Sequence, residues 1–259
     1  MSPIISPEDA KKLAAGPLGQ EMSKFPLRFA KMILFGDLPS PREPATINNG
    51  TASLVDLGNG PLAITCSHVI AAFRERLRAG RPSLFQIGNC RLDPLAQLIS
   101  ESDDFDLAVI GLRDDQAKEI TSDGEIGSSF FRPVSWPPKP VAQGDFIAFG
   151  GFPGQWRTQL DLDALEFGTY SVGSSGVTTV GDNYFVSQFE REYWVQVLNN
   201  KGPEHLSELG GLSGGPAFVQ RGLGFDFVGV IYEFSSNYEL IYLRHSELIG
   251  SDGQITGVC

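Results

Sequence analysis

Three short segments of the sequence hold residue types suited to acyl-transfer chemistry. The first is Gly210-Gly211-Leu212-Ser213-Gly214-Gly215-Pro216. A serine that attacks a carbonyl carbon needs open space around its hydroxyl. Flanking glycines supply it and let backbone N–H groups turn toward the oxyanion that forms. The same run would also serve as a plain turn between two strands. The second segment, Ile64-Thr65-Cys66-Ser67-His68-Val69, sets a histidine between an apolar β-run and a helical pattern, where rigid elements on both sides could hold a general base. Taken alone, His68 also fits an ordinary half-buried histidine. His205, in a polar loop, and His245, after the last apolar run, have weaker settings. The third segment is Asp103-Asp104-Phe105-Asp106-Leu107-Ala108-Val109-Ile110-Gly111. A carboxylate at the edge of a buried strand can lose water, keep its charge by accepting hydrogen bonds, and fix a histidine's tautomer. Asp106 adjoins the apolar run and is the candidate. The neighbouring aspartates read as a solvated turn.

The elements that must position these residues are mostly short β-runs. Thr51–Leu57 and Pro61–Thr65, joined by Gly58-Asn59-Gly60, predict a hairpin leading straight to His68. From His68 to Arg78, Val69, Ile70, Phe73 and Leu77 share one face, and Gly80 closes that helix. Ser83–Ile87, Ala96–Ser100 and Leu107–Leu112 follow as strands. Residues 113–140 turn polar and then proline-rich, the signature of a linker. Beyond them Asp145–Phe149, Thr169–Val172, Tyr184–Phe189, Tyr193–Leu198, Ala217–Gln220, Phe225–Tyr232 and Glu239–Leu243 repeat the short-strand pattern. Ser6-Pro7-Glu8 predicts a short helix over 6–15 that Gly16-Pro17 ends. The expected organisation is an arm (1–26), a first β-unit with His68 and Asp106 (27–112), the linker (113–140) and a second β-unit with Ser213 (141–259).

Composition agrees with a turn-rich β protein: 30 Gly and 17 Pro in 259 residues, with 41 % hydrophobic and 20 % charged residues. The net charge of −11 repels phosphate backbones and acidic membrane surfaces, so a peptide or small-molecule partner is expected, without nucleic acid or membrane. Cys66, Cys90 and Cys259 are widely spaced with no metal-ligand pattern, so no metal or cofactor is expected and the thiols read as reduced. With no secretory signal pattern and no apolar run of about 18 residues, the expected compartment is the cytoplasm.

Taken together and in this order, T-C-S-H-V at 65–69, D-L-A-V-I at 106–110 and G-L-S-G-G-P at 211–216 resemble the chymotrypsin/trypsin-like serine peptidase superfamily. Gly50-Thr51-Ala52-Ser53-Leu54-Val55 is similar to the family's strand ahead of the histidine. Phe149-Gly150-Gly151-Phe152-Pro153-Gly154 is similar to a turn of bacterial and HtrA-type members. The resemblance spans about residues 27 to 245. It implies an all-β fold of two six-stranded antiparallel Greek-key β-barrels with a short N-terminal helix ahead of them. It implies a serine endopeptidase with Ser213 as nucleophile, His68 as general base and then acid, and Asp106 as orienting carboxylate. The backbone N–H groups of Gly211 and Ser213 would form the oxyanion hole, and Val230-Ile231-Tyr232-Glu233-Phe234 would pair with an extended substrate.

The departures from that family are specific. Leu212 stands where trypsin-type members carry the aspartate that pairs with a freed amino terminus, so that activation route is not expected. Val69 and Leu209 replace family cysteines. The residues after Tyr242 are too few for a PDZ domain. Ser207 falls at the pocket-floor position, and Glu233 and Phe234 stand where many members carry an aromatic residue and a glycine, suggesting a narrowed pocket. Two other readings compete. Gly211–Gly215 also satisfies G-x-S-x-G, with Asp226 and His245 following in α/β-hydrolase order, but the alternating strand–helix units of that fold are missing. A catalytically silent binding module, or a peptidase awaiting an activating protein partner, would carry the same residues.

Overall fold

The computed structural model describes residues 6–37, 46–122, 127–161, 165–188 and 210–257. Helix α1 (Pro7–Ala15) begins as its sequence predicts, with the Ser6 hydroxyl accepting the Asp9 N–H at 3.2 Å. A second helix that the sequence did not announce, α2 (Pro17–Leu27), starts directly after Gly16. Its Pro17 occupies the first helical position, where a missing N–H costs nothing, and Pro26 lies in the last turn.

The first β-unit contains β1 (Ala30–Asp37), β2 (Ile47–Asp56), β3 (Pro61–Thr65), β4 (Ser83–Ile87), β5 (Cys90–Arg91), β6 (Leu98–Ser102) and β7 (Leu107–Gly111). Helix α3 (Ser67–Arg78) follows β3. The strands form one antiparallel sheet in the order β5-β4-β1-β2-β3-β7-β6, seven strands where six were expected, because the two-residue β5 extends the edge beyond β4. Helix α4 (Asp114–Thr121) comes next. The second unit contains β8 (Phe146–Gly151), a small hairpin of β9 (Arg157–Gln159) and β10 (Leu165–Phe167), then β11 (Tyr170–Val180), β12 (Tyr184–Gln188), β13 (Pro216–Arg221), β14 (Gly224–Ser235) and β15 (Leu240–His245). Six of these close into an antiparallel barrel in the order β11-β12-β15-β14-β13-β8. The fold is thus all-β in two units. No helix among the described residues is long and apolar enough to cross a membrane.

Each unit has its own apolar core. Ile33, Leu54, Ile70, Phe85 and Ile110 fill the first, and Phe149, Tyr170, Phe185 and Leu243 the second. A third cluster joins them, with Val55, Ile64, Leu107 and Val109 of the first unit against Phe218, Phe227 and Val230 of the second. The fully buried Phe218 ring lies 5.1 Å from Phe25 of α2 and 5.0 Å from Phe131, centroid to centroid. Its truncation to alanine would cost about 3–5 kcal/mol. The span 113–140 that reads as a linker holds α4 and a packed stretch. Phe131 exchanges backbone hydrogen bonds with Leu54 and Asp56 of β2, and the Trp136 indole donates to the Ile249 carbonyl at 2.9 Å. The arm also packs: Leu27 of α2 lies so close to Gly150 of β8 that a Cβ there would come within 2.9 Å of it.

Candidate active site

His68 is the second residue of α3, whose buried Val69, Ile70 and Phe73 anchor the helix to the first core. The imidazole is left half-exposed. Asp106 precedes β7 on the turn from β6, with φ of +50°, a left-handed conformation that short polar side chains such as aspartate tolerate best. Its Oδ2 lies 2.7 Å from His68 Nδ1, while Oδ1 accepts the His68 backbone N–H at 2.9 Å and the Ser67 hydroxyl at 3.1 Å. Cys66, at the N-cap, makes no side-chain cap bond, so this carboxylate caps α3 from a distant strand while it holds the imidazole. Burial pushes the Asp106 carboxyl up, but the bonds from the His68 ring, the His68 backbone and Ser67 outweigh it and hold the group below the ordinary carboxylate range.

Ser213 lies in the loop ahead of β13. Gly211 and Gly214 on either side have φ of +100° and +95°. A Cβ on Gly214 would fall 1.9 Å from the Thr51 carbonyl oxygen, and one on Gly211 would fall 2.3 Å from Asn49 Nδ2. Glycine is required at both for conformation and for space. Hydrogen bonds from both units hold the loop. The Thr51 N–H donates to the Ser213 carbonyl at 2.9 Å, the Thr51 hydroxyl to the Gly211 carbonyl at 2.7 Å, and the Ser53 hydroxyl to the Gly214 carbonyl at 2.7 Å. Asn49 Nδ2 donates to the Phe152 carbonyl at 2.9 Å, and the Gly154 N–H donates to the Gly210 carbonyl at 2.7 Å. Among the described residues, neither the Ser213 hydroxyl nor the N–H groups of Gly211 and Ser213 have a hydrogen-bond partner.

Two contacts bring this loop beside the His68–Asp106 pair. A Cβ on Gly50 would sit 3.1 Å from the side chain of Val69, the residue after His68, and 3.6 Å from the Ser213 carbonyl oxygen. Ile231 of β14 links the other side: its carbonyl accepts the Gly214 N–H at 2.8 Å and the Cys66 thiol at 3.3 Å, and its N–H donates to Gly215 at 2.9 Å. Beyond Val230, β14 pairs with β15 on one edge, whereas its β13 partner ends at Pro216. Past that point Tyr232 and Phe234 are half-buried and Glu233 is exposed. Ser207, the expected pocket floor, lies outside the described residues, as does the run Tyr193–Leu198. Asp226 pairs with Val219 within the β13–β14 hairpin, and His245 ends β15 with Nε2 3.0 Å from the Gly181 carbonyl, so the second carboxylate–histidine reading finds no shared site.

Cys66, His68 and Asp106 offer ligand atoms that all lie within 4.8 Å of one another. His68 Nδ1 is already engaged with Asp106, and burial, aided by the Asp106 charge, pushes the Cys66 thiol well up. The group as built is a hydrogen-bonded pair beside a neutral thiol. The positioning roles of Asn49, Thr51 and Ser53 escape a reading of the sequence. Their only signal is that they fall within or next to the motif-like run 50–55, and their partners lie more than 100 residues away.

No family model matches the chain, and no curated protein matches it. Among solved structures, the chain is similar to the active form of the Rv3671c protease from M. tuberculosis, at 13 % identity over 94 % of this chain and 88 % of that one, with a TM-score of 0.46. A thermostable serine protease, AL20, from an extremophilic microorganism aligns at 12 % identity over 84 % and 91 %, TM-score 0.45. A catalytically inactive tobacco etch virus protease in complex with substrate aligns at 14 % identity over 83 % and 77 %, TM-score 0.42.

Proposed function

We propose that the protein is a serine endopeptidase of chymotrypsin-like build. What supports this reading is a hydrogen-bonded Asp106–His68 pair on one unit and, on the other, a serine between two positive-φ glycines whose loop shares the neighbours Gly50 and Ile231 with the residues that flank His68. In the reaction, Ser213 Oγ attacks the scissile carbonyl carbon and its proton passes to His68 Nε2. Asp106 keeps the Nδ1–H tautomer and stabilises the imidazolium. The N–H groups of Gly211 and Ser213, which have no partner among the described residues, receive the negative charge that develops on the carbonyl oxygen. Collapse of the tetrahedral species breaks the C–N bond, and His68 returns its proton to the leaving amine. Water then adds to the acyl-Ser213 ester by the same steps in reverse. An extended peptide lies along β14 at Tyr232–Phe234 as a further strand.

Ser207 belongs to the same proposal as pocket floor, as does residence in the cytoplasm, which suits two buried cysteines, Cys66 and Cys90, without disulfides. Labelling with a fluorophosphonate probe, read by intact mass, tests the reading. One adduct per wild-type chain is expected, with none on Ser213→Ala or His68→Ala. A folded wild type that takes no adduct overturns it and leaves a silent or partner-activated binding module.

A further inference from the structure

At the start of α3 the run Cys66-Ser67-His68 sends its side chains to two places. The Cys66 thiol donates to the Ile231 carbonyl of the second unit at 3.3 Å, while the Ser67 hydroxyl and the His68 ring both meet Asp106. Ser67 is only 4 % exposed, so water is a poor substitute for that partner. The other buried hydroxyls around the candidate site behave differently. Thr51, Ser53 and Thr65 donate to the backbone carbonyls of Gly211, Gly214 and Thr51, and so hold main chain. Ser67 holds a side chain that has a soft torsion of its own. Asp106 stands on a turn ahead of β7, where its N–H donates to the Asp103 carbonyl at 3.2 Å. That bond fixes where the side chain begins and leaves the turning of its carboxylate to the donors around it. Oδ1 has two, the His68 N–H at 2.9 Å and the Ser67 hydroxyl at 3.1 Å, and Oδ2 lies 2.7 Å from His68 Nδ1.

We propose that Ser67 is a positioning residue for the candidate base, its hydroxyl fixing the plane of the Asp106 carboxylate and, through it, the His68 ring; the proposal rests on the peptidase reading above. The outer torsion of an aspartate is broad, so a carboxylate held at Oδ1 by one donor can swing about it. Two donors from successive residues of one helical turn remove that freedom. The hydroxyl bond is charge-assisted, which makes it stronger than the neutral bonds of Thr51, Ser53 and Thr65. Ser67 and His68 are neighbours in α3, so the same helix start carries the base and one of the clamps on its carboxylate. Ser67 thus acts through Asp106 and not on the substrate, and its loss should be felt in turnover.

The test is a double-mutant cycle on peptide hydrolysis. Ser67→Ala is expected to lower kcat about tenfold while KM stays within about twofold of wild type. In an Asp106→Asn background the carboxylate charge is already gone, and there the same change should cost less than about twofold. An equal fall in both backgrounds marks a merely structural serine and overturns the proposal. An unchanged kcat in Ser67→Ala, or a loss confined to KM, overturns it as well. Should Ser67→Ala fail to fold, Ser67→Cys, which keeps the size but weakens the donor, must still lower kcat, and a wild-type kcat in that variant counts against the proposal. The proton NMR signal of the ring N–H between His68 and Asp106, identified by its loss in His68→Ala, is followed in the same proteins. Ser67→Ala should displace it, because the carboxylate on which it rests has changed, and an unmoved signal overturns the proposal. Phosphonate labelling of wild type is read in parallel. If it fails, the peptidase reading falls, and the NMR signal alone decides whether Ser67 positions the pair.

Discussion

The two units hold their halves of the candidate site by different means. On the first, a single carboxylate does the positioning. Asp106 caps α3 and orients the imidazole through three directed bonds, so the arrangement depends on one side chain's charge. On the second, the Ser213 loop is shaped by the absence of side chains at Gly211 and Gly214, and it is held mainly at its carbonyls by donors from Thr51 and Ser53. With its carbonyls pinned, the loop keeps the Gly211 and Ser213 N–H groups without a hydrogen-bond partner among the described residues. A charge relation tolerates small movements, whereas a steric one does not. The two halves should therefore fail differently when altered.

The sharpest separation comes from Asp106→Asn, which keeps the shape and removes the charge. We expect kcat/KM to fall by about 10⁴, with a loss of roughly 1–2 kcal/mol in urea denaturation because the α3 cap weakens. Gly214→Ala should show the reverse emphasis. It forces a Cβ against the Thr51 carbonyl at a positive φ, so activity should drop about 10²–10³-fold with a larger stability loss, on the order of 3 kcal/mol. A circular-dichroism melt beside the kinetic assay reads both quantities. Thr51→Val removes the hydroxyl that donates to Gly211 and accepts from the Phe152 N–H at 3.1 Å. A roughly tenfold fall in kcat with little change in KM is expected.

The smallest effect is one of pH. The Asp106 carboxyl is held below its unfolded value, so its bonds add stability at all pH above about 4, and that contribution fades as pH falls through the folded value. The stability gap between wild type and Asp106→Asn, read from urea midpoints, should be full at neutral pH and close on acidification. A gap constant down to pH 2 would mean that Asp106 acts by shape and not by charge.

The sequence made the first half of this contrast visible and hid much of the second. His68 and Asp106 are legible because each stands at a junction between an element and a turn, and Ser213 because its glycines are dense. The hairpin of β2 and β3 and helix α3 follow from local periodicity. Helix α2 was hidden because Gly16-Pro17 is a stop and a start at once, and the packing of residues 113–140 because a polar helix and a proline run look solvated until Phe131 and Trp136 find their partners. The Asn49, Thr51 and Ser53 bonds are contacts across more than 100 residues, which no local pattern encodes.

The Thr51 hydroxyl sits at the seam, giving its proton to one loop of the second unit and receiving one from another. Any breathing that parts the units breaks both bonds together, while the bonds from Gly154 and Ile231 within the second unit still hold the serine loop. The amide of Phe152, followed by hydrogen exchange, would therefore time the opening of the interface and not the melting of that loop.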